Sequence, residues 1–244
     1  MPAARRAQLR LFLDALVERY HRPALLGTDP LAAVHAMRDP LDREIGGLFA
    51  ALLAYGNVKQ IRRSLAVLFA AMGDRPGLFV ARFDHGAARA ALAGFKHRFT
   101  DADDVLCLCQ LLNRALDGGA SLEPFFLRAC RDDEPDLASA AGRFVDNLRA
   151  LDFGPHFDRD TMLGRASFKH LLPHAAGGSA CKRVHLWLRW MVRPADGVDL
   201  GLWRGVPASR LLVPVDTHIL RIARNLGFTR RATHSLAASR EITA

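Results

Sequence analysis

Apolar side chains recur along this chain every three or four residues, which is the period of an α-helix with one buried face. The first such stretch covers residues 4–21. Its apolar face is formed by Leu9, Leu13, Leu16, Val17 and Tyr20. Alternating runs rich in Val, Ile and Thr, which indicate strands, are almost absent. The pattern therefore predicts an all-α fold.

Cap residues mark where several later helices begin. Asp29 and Asp39 each precede a proline, an arrangement that is typical of a helix start. Asp101 and Asp216 stand directly before apolar helical patterns in the same way. The predicted helices are a short one from residue 29, then residues 39–55, 58–72, 76–83, 85–93, 101–117, 121–130, 135–150, 179–193, 216–226 and a last one to the end. Residues 151–178 and 194–214 are predicted to be irregular.

The length of 244 residues suits one domain, residues 1–244, built as two lobes with a cleft between them. We expect the middle helices, about residues 41–193, to form one lobe. The N-terminal helix, residues 1–38, and the C-terminal segment, residues 207–244, are expected to form the other. The chain ends within a helical pattern, so we expect it to be truncated at the C-terminus.

Composition indicates a soluble cytoplasmic protein without a membrane partner. Half of the residues are hydrophobic, which is enough for a sizeable core. No apolar run approaches the ~18 residues that a membrane span needs. The N-terminus is basic and lacks the apolar region of a secretory signal.

The four cysteines are Cys107, Cys109, Cys130 and Cys181, and no two of them form a CxxC motif. Two residues apart on a helix, Cys107 and Cys109 point to different faces, so buried thiols are favoured over a metal site. No disulfide is expected in the cytosol. We therefore predict no metal and no cofactor.

Positive charge is concentrated in the C-terminal part of the chain. The net charge is +9. Residues 151–244 carry 14 Lys+Arg and 7 Asp+Glu, a net charge of +7, which leaves +2 for residues 1–150. This asymmetry favours a phosphate-rich partner, the alternative being a solvated basic surface.

A basic ridge is predicted on the helix at residues 179–193. On a helical wheel Lys182, Arg189 and Arg193 share one line, with His185 close to it. The opposite side carries Val184, Leu188, Met191 and Val192. Arg183 falls between Trp187 and Trp190, where we expect it to stack on an indole or pair with a buried acid. The alternative is an amphipathic surface helix with solvated arginines.

The entry to that helix is suited to phosphate. Gly177 and Gly178 allow close backbone approach, and Ser179 can cap the helix. Backbone N–H groups at a helix N-terminus attract anions.

Asp216 precedes a helix whose core stripe is formed by Ile219, Ile222, Ala223 and Leu226. An aspartate in this position is a helix cap, and the cap alone is one interpretation. The helix dipole also holds the carboxylate ionised, which suits it to face a developing cation.

Residues 215–222 resemble the Val-Asp-Thr-His segment of the helix-hairpin-helix DNA glycosylase superfamily, to which endonuclease III belongs. Residues 172–173 followed by 177–182 resemble the hairpin that carries a lysine in bifunctional members. Residues 52–57 resemble the early helix that ends near the DNA-opening loop. The separation of 34 residues between Lys182 and Asp216 is longer than in most relatives and closer to the archaeal 8-oxoguanine glycosylases.

Three segments, residues 178–183, 188–193 and 214–218, also resemble an uncharacterised bacterial family, domain of unknown function 2400. The resemblance extends over about residues 38–228. The sequence departs from the superfamily at residues 174–176, where His-Ala-Ala fills the usual Gly-x-Gly loop, and in having no cysteine cluster for an iron–sulfur centre.

The resemblance implies a two-lobed helix-hairpin-helix fold with a central cleft, and a monomeric base-excision glycosylase with AP-lyase activity on double-stranded DNA. Lys182 would attack C1′ of a flipped damaged nucleotide, and Asp216 would stabilise the cationic sugar and help to deprotonate the lysine. We expect the two to face each other across the cleft, where converging helix N-termini favour a neutral amine and an ionised carboxylate.

Further residues are expected to contact nucleic acid. They are Asn57, Gly177, Gly178, Ser179, Arg183, His185, Arg189, Arg193 and His218. A flipped base would stack on one of Phe168, His185, Trp187, Trp190 or Trp203. The alternative function is a catalytically inactive nucleic-acid-binding protein of the same fold. A helical protein-interaction scaffold is a third interpretation, which the localised positive charge disfavours.

Overall fold

The computed structural model describes residues 3–173 and 181–244. Over these residues the chain is predominantly helical, which confirms the all-α class. The α-helices are α1 (Ala3–Tyr20), α2 (Ala32–His35), α3 (Pro40–Leu52), α4 (Val58–Ala71), α5 (Pro76–Ala81), α6 (His85–Ala91), α7 (Ala102–Leu116), α8 (Glu123–Leu127), α9 (Ala138–Ala150), α10 (Arg159–Gly164), α11 (Ala166–Leu171), α12 (Lys182–Val192), α13 (Thr217–Leu226) and α14 (Leu236–Thr243). Two 3₁₀ helices, Pro23–Thr28 and Ala208–Arg210, and one hairpin of strands β1 (Lys96–His97) and β2 (Thr100–Asp101) complete the described elements.

Three of the four aspartates that were predicted as caps are confirmed. The side chains of Asp39, Asp101 and Asp216 accept backbone N–H groups at the starts of α3, α7 and α13. Asp29 behaves differently, since its carboxylate accepts the N–H of Leu31 at 2.8 Å and α2 begins only at Ala32. Asp29 therefore closes a turn ahead of the short helix.

The sequence analysis missed short regular elements in four places among the described residues, two of which are the 3₁₀ helices Pro23–Thr28 and Ala208–Arg210. The stretch from 151 to 178, predicted to be irregular, contains α10 and α11, each six residues long. The β1–β2 hairpin has two residues in each strand. Elements this short cannot show a recurring apolar period, so pattern reading does not detect them.

Most of the core surrounds α3. Ten of its thirteen residues are buried, and it packs against α5 and α12. Gly77 at the start of α5 permits this contact, because a Cβ at that position would lie 2.5 Å from the backbone carbon of Leu41. The indole of Trp187 on α12 donates to the carbonyl of Glu44 at 3.2 Å. Helix α12 is thereby fixed against the centre of the molecule.

Glu44 is a carboxyl group inside this core, with 2% of its surface exposed. It accepts hydrogen bonds from the Trp203 indole, the Ser121 hydroxyl and the backbone N–H of Leu122. Burial raises the pKa of Glu44 to about 7, although the three donors oppose this shift.

A second, smaller apolar cluster lies in the C-terminal segment. Val215, Leu220 and Ala238 form it, with Val213 and Ile242 packed beside them. It holds α13 against α14, and so determines where Asp216 stands. The predicted division into two lobes stays a prediction.

Helix α1 forms as predicted, but its predicted core face does not become buried. No residue of α1 is buried, and Val17 and Tyr20 are more than half exposed. Leu9, Leu13 and Leu16 are half-buried. None of the helices in the described ranges combines the length and the apolar character that crossing a membrane requires.

Candidate active site

Lys182 and Asp216 form a direct ion pair. The amine Nζ of Lys182 lies 2.8 Å from Oδ2 of Asp216. Lys182 is the first residue of α12, and Asp216 caps α13. About a third of each side chain remains exposed. The predicted proximity of the two residues is confirmed.

The other carboxylate oxygen of Asp216 anchors α13. It accepts the backbone N–H groups of His218 and Ile219, each at 2.9 Å. Burial on its own would raise the pKa of Asp216, but the Ile219 N–H and the Lys182 amine outweigh it and hold that pKa below its usual range. Asp216 is therefore ionised, as the sequence predicted, with one oxygen committed to the cap and one to the amine.

The entry to α12 is only partly described. Gly177, Gly178 and Ser179, expected to bind phosphate and cap the helix, lie outside the described residues. Cys181, the residue before the helix, is buried and has a left-handed backbone with φ of 39°. Lys182 follows this residue directly, as the first residue of α12.

A cleft of about 650 Å³ opens beside the ion pair. Most of its described lining comes from the segment after α3, the start of α12 and the start of α13, and Pro173 after α11 and His234 before α14 complete it. The residues are Ala54, Tyr55, Gly56, Pro173, Cys181, Lys182, Arg183, Val215, Asp216, Thr217 and His234. This volume falls within the range of small-molecule sites. A single nucleoside is of suitable size for it.

Arg183 lines the same cleft but does not make the predicted contacts. Its guanidinium donates to the backbone carbonyls of Leu52 and His170 and lies 5.2 Å from the ring centre of Tyr55. The prediction of an indole or a buried acid is wrong. The reason is that Leu52 ends α3, where helical carbonyls lack partners within the helix. Burial lowers the pKa of Arg183 to about 10, so it stays charged at neutral pH.

His185 is not part of a solvent-facing ridge. Only 1% of its surface is exposed, and burial lowers its pKa to about 4. The prediction that it contacts nucleic acid or stacks on a base is wrong in this structure. The helical wheel gives the direction in which the His185 side chain leaves the helix axis. It does not show that other parts of the chain cover this side of α12.

Arg189 and Arg193 share one buried carboxylate. Asp199, with 1% exposure, lies 3.3 Å from the Nε of Arg189 and 3.1 Å from the Nε of Arg193. Burial raises the pKa of Asp199, and the two arginines oppose that rise. The predicted ridge of solvated cations is therefore partly neutralised. The contact of these arginines with nucleic acid stays a prediction.

The two remaining predicted contacts lie near the cleft. Asn57 is exposed and caps α4 by accepting the N–H of Lys59 at 2.9 Å, one residue after Gly56 of the cleft lining. His218 is exposed and follows Thr217, which also lines the cleft.

The predicted base-stacking residues are all buried. Trp187, Trp190, Trp203 and Phe168 are each at most 4% exposed. Sequence reasoning missed instead a group of aromatic rings beside the cleft: Tyr55, His97, Phe99 and His170. Burial, followed by the charges of Arg183 and Arg98, lowers the pKa of His170 to about 4. No local pattern signals this group, because its members lie far apart in sequence.

The cysteines behave as core residues. Cys107 and Cys109 are fully buried, and burial raises the pKa of Cys107 to about 12. None of the four cysteines forms a disulfide.

His21, Asp196 and Asp199 approach one another closely enough to share a metal ion. However, Asp196 accepts from His21 at 2.7 Å, and Asp199 faces two arginines. These charges are already compensated, so we assign no metal to the group.

A family model described as "Protein of unknown function (DUF2400)" matches residues 29–244. No curated protein and no solved structure matches the chain.

Proposed function

The chain belongs to the DUF2400 family, and we propose that it is a DNA base-excision glycosylase with AP-lyase activity. The observation that carries the proposal is the 2.8 Å contact between Lys182 and Asp216 at a nucleoside-sized cleft. The helix-hairpin-helix architecture, action on double-stranded DNA as a monomer, the absence of a cofactor and a cytoplasmic location are parts of the same proposal.

The pair has the groups that such a reaction needs. The N-glycosidic bond of a nucleotide held in the cleft breaks, and the base leaves with the bonding electrons and takes up a proton from solvent. Ionised Asp216 faces the positive charge that develops on the sugar, which lowers the barrier. Lys182 then passes a proton to Asp216, and its nitrogen bonds to the cationic C1′.

The covalent product then allows strand cleavage. The sugar ring opens to a Schiff base between C1′ and the Lys182 nitrogen. Loss of a proton from C2′ expels the 3′-phosphate and nicks the strand. Arg183 lies on the same wall of the cleft and presents a fixed positive charge that favours phosphate nearby.

Borohydride reduction tests the proposal, because it converts a Schiff base into a stable covalent adduct. The full chain is incubated with duplexes that each carry one damaged base or an abasic site. We expect an adduct with at least one duplex, and none with Lys182→Gln. Lys169→Gln is the matched control, since Lys169 is exposed and lies outside the cleft lining. An adduct that forms equally with Lys182→Gln would refute the assignment of the nucleophile.

The second candidate is a nucleic-acid-binding protein of the same architecture without catalysis. The ion pair itself favours it, because a salt bridge between the starts of α12 and α13 also serves to join two helices. This function predicts DNA binding with no adduct on any duplex. Binding that survives in Lys182→Gln fits both functions, so the adduct decides between them.

A further inference from the structure

The β1–β2 hairpin carries an exposed aromatic ring at its tip. Lys96 pairs with Asp101 and His97 with Thr100, which leaves Arg98 and Phe99 as the two loop residues. Arg98 has a left-handed backbone with φ of 55°. Phe99 is 48% exposed.

Hydrogen bonds at the base of the hairpin hold its tip in a fixed position. His97 is fully buried, and its ring contacts the Ser64 hydroxyl at 2.9 Å and the Tyr55 carbonyl at 3.2 Å. The Tyr55 hydroxyl contacts the Thr100 hydroxyl at 2.8 Å. These bonds tie the hairpin to α4 and to the end of α3, so Phe99 has a defined position.

One face of the Phe99 ring rests on the cleft wall. The ring stacks on Tyr55 with centroids 5.3 Å apart and planes 12° apart, and the His170 ring lies 4.6 Å away. Tyr55 lines the cleft that contains Lys182. Phe99 therefore extends a stack of rings from the reacting pair outwards to solvent.

Exposed cations lie on the same hairpin and on α4, which packs against β1. Arg98 lies 5.7 Å from the ring centre of Phe99. We call the group of Lys59, Arg62, Arg63, Lys96 and Arg98 the basic belt. Its members are all exposed, and none of them forms an ion pair with another described residue.

The belt is continuous along α4 and the hairpin. Lys59, Arg62 and Arg63 line one groove of about 520 Å³. Arg63 and Lys96 line a second groove of about 370 Å³. In contrast to Arg189 and Arg193, which share Asp199, these side chains pair with no acid among the described residues.

A single exposed aromatic ring on a hairpin that also carries unpaired cations fits one class of ligand best. An apolar protein partner or a lipid surface would need a contiguous apolar patch, but the other exposed residues of the hairpin, Lys96 and Arg98, are charged. A nucleobase offers a flat π-face to the ring, and its flanking phosphates offer negative charge to the belt.

We propose that Phe99 stacks on an unpaired nucleobase at the mouth of the cleft, while the basic belt holds the phosphates on either side of it. Phe99 is then a positioning residue that keeps the strand open next to the Lys182–Asp216 pair. This inference rests on the proposed function only in taking DNA as the ligand.

The test compares two duplexes that differ in a single base. One carries 2-aminopurine opposite an abasic analogue, and the other carries it in a normal pair. Affinity and fluorescence are measured for the full chain, for Phe99→Ala and for Phe99→Trp. Phe12→Ala is the control, because Phe12 is a similarly exposed phenylalanine on α1, 53% exposed.

For Phe99→Ala we expect roughly tenfold weaker binding to the unpaired duplex and loss of the fluorescence quench that stacking produces. Binding to the paired duplex should change little, and Phe99→Trp and Phe12→Ala should behave like the original chain. Equal affinity and equal quenching in Phe99→Ala would overturn the inference.

The outcomes separate this inference from the glycosylase proposal. Phe99-dependent quenching with no borohydride adduct on any duplex would leave the inference standing and remove the glycosylase. If a Lys182 adduct forms while Phe99→Ala keeps full affinity for the unpaired duplex, the inference is overturned and the glycosylase proposal stands. Binding to vesicles of an anionic lipid, with no binding to either duplex, would overturn both.

Discussion

Lys182 Nζ and Asp216 Oδ2 lie 2.8 Å apart, although each residue stands at the N-terminus of a different helix. The carboxylate thus has two tasks, because its second oxygen caps α13. A substitution that keeps the capping oxygen but removes the negative charge should therefore affect catalysis more than stability.

Asp216→Asn keeps a side-chain oxygen for the cap and removes the charge that faces the amine. We expect single-turnover base release to slow by at least tenfold, with a loss of less than about 1 kcal/mol in the free energy of unfolding. Asp216→Ala removes both functions and should lose about 1 kcal/mol or more. Denaturant unfolding and single-turnover kinetics on the same preparations measure the two effects. Equal instability of both variants would mean that the cap contributes nothing.

Glu44 should make the stability of the fold depend on pH. Its pKa is raised from 4.5 to about 7, so the folded protein holds a proton that the unfolded chain releases between these values. The stabilisation is fully present below pH 4.5 and is lost as pH rises through about 7. The shift corresponds to roughly 3 kcal/mol.

Glu44→Gln stays neutral and keeps a carbonyl oxygen for the Trp203, Ser121 and Leu122 donors. We expect its free energy of unfolding to vary less between pH 4.5 and 7 than that of the original chain, with a gain at pH 7. The exposed Glu18→Gln is the control and should leave the pH profile unchanged. Parallel profiles for Glu44→Gln and the original chain would show that folding leaves the pKa of Glu44 unshifted, which would contradict this prediction.

DNA affinity should depend more on the basic belt than on α12. Arg62→Gln with Arg63→Gln removes two cations that have no acidic partner. The slope of log affinity against log salt should fall by about 0.9 for each phosphate that is no longer neutralised. Arg189→Gln with Arg193→Gln should reduce the slope by less, because Asp199 already offsets part of their charge. Titrations between about 50 and 200 mM salt measure both slopes. If the Arg189→Gln and Arg193→Gln variant reduces the slope more, this prediction is wrong, and the basic ridge that the helical wheel predicted on α12 is supported.

Asp199→Asn should destabilise the chain through the two arginines that it leaves unpaired. The carboxylate is fully buried, and the arginine side chains are 32% and 42% exposed. We expect a loss of about 2 kcal/mol, which is less than for a fully buried pair because water screens the arginines. Thermal and denaturant unfolding measure it, with Asp14→Asn on exposed α1 as the control. A change of less than about 0.5 kcal/mol, the usual range for surface substitutions, would contradict the structural role.

Local information was sufficient for the helices and their starts. The caps at Asp39, Asp101 and Asp216 depend on a side chain and the N–H groups two or three residues later, so the sequence nearby determines them. The proximity of Lys182 and Asp216 was also predicted, because the motif at residues 215–222 and the lysine before α12 resemble a known arrangement.

Contacts between distant segments decided the remaining features, and helical periodicity carries no information about them. Asp199, in a stretch predicted to be irregular, takes the charge of Arg189 and Arg193, and His185 is covered by other parts of the chain. Phe99 reaches Tyr55 across 44 residues of sequence because the hairpin folds back onto the end of α3. A helical wheel gives the direction of a side chain from its own axis, whereas burial and pairing depend on what the rest of the chain places there.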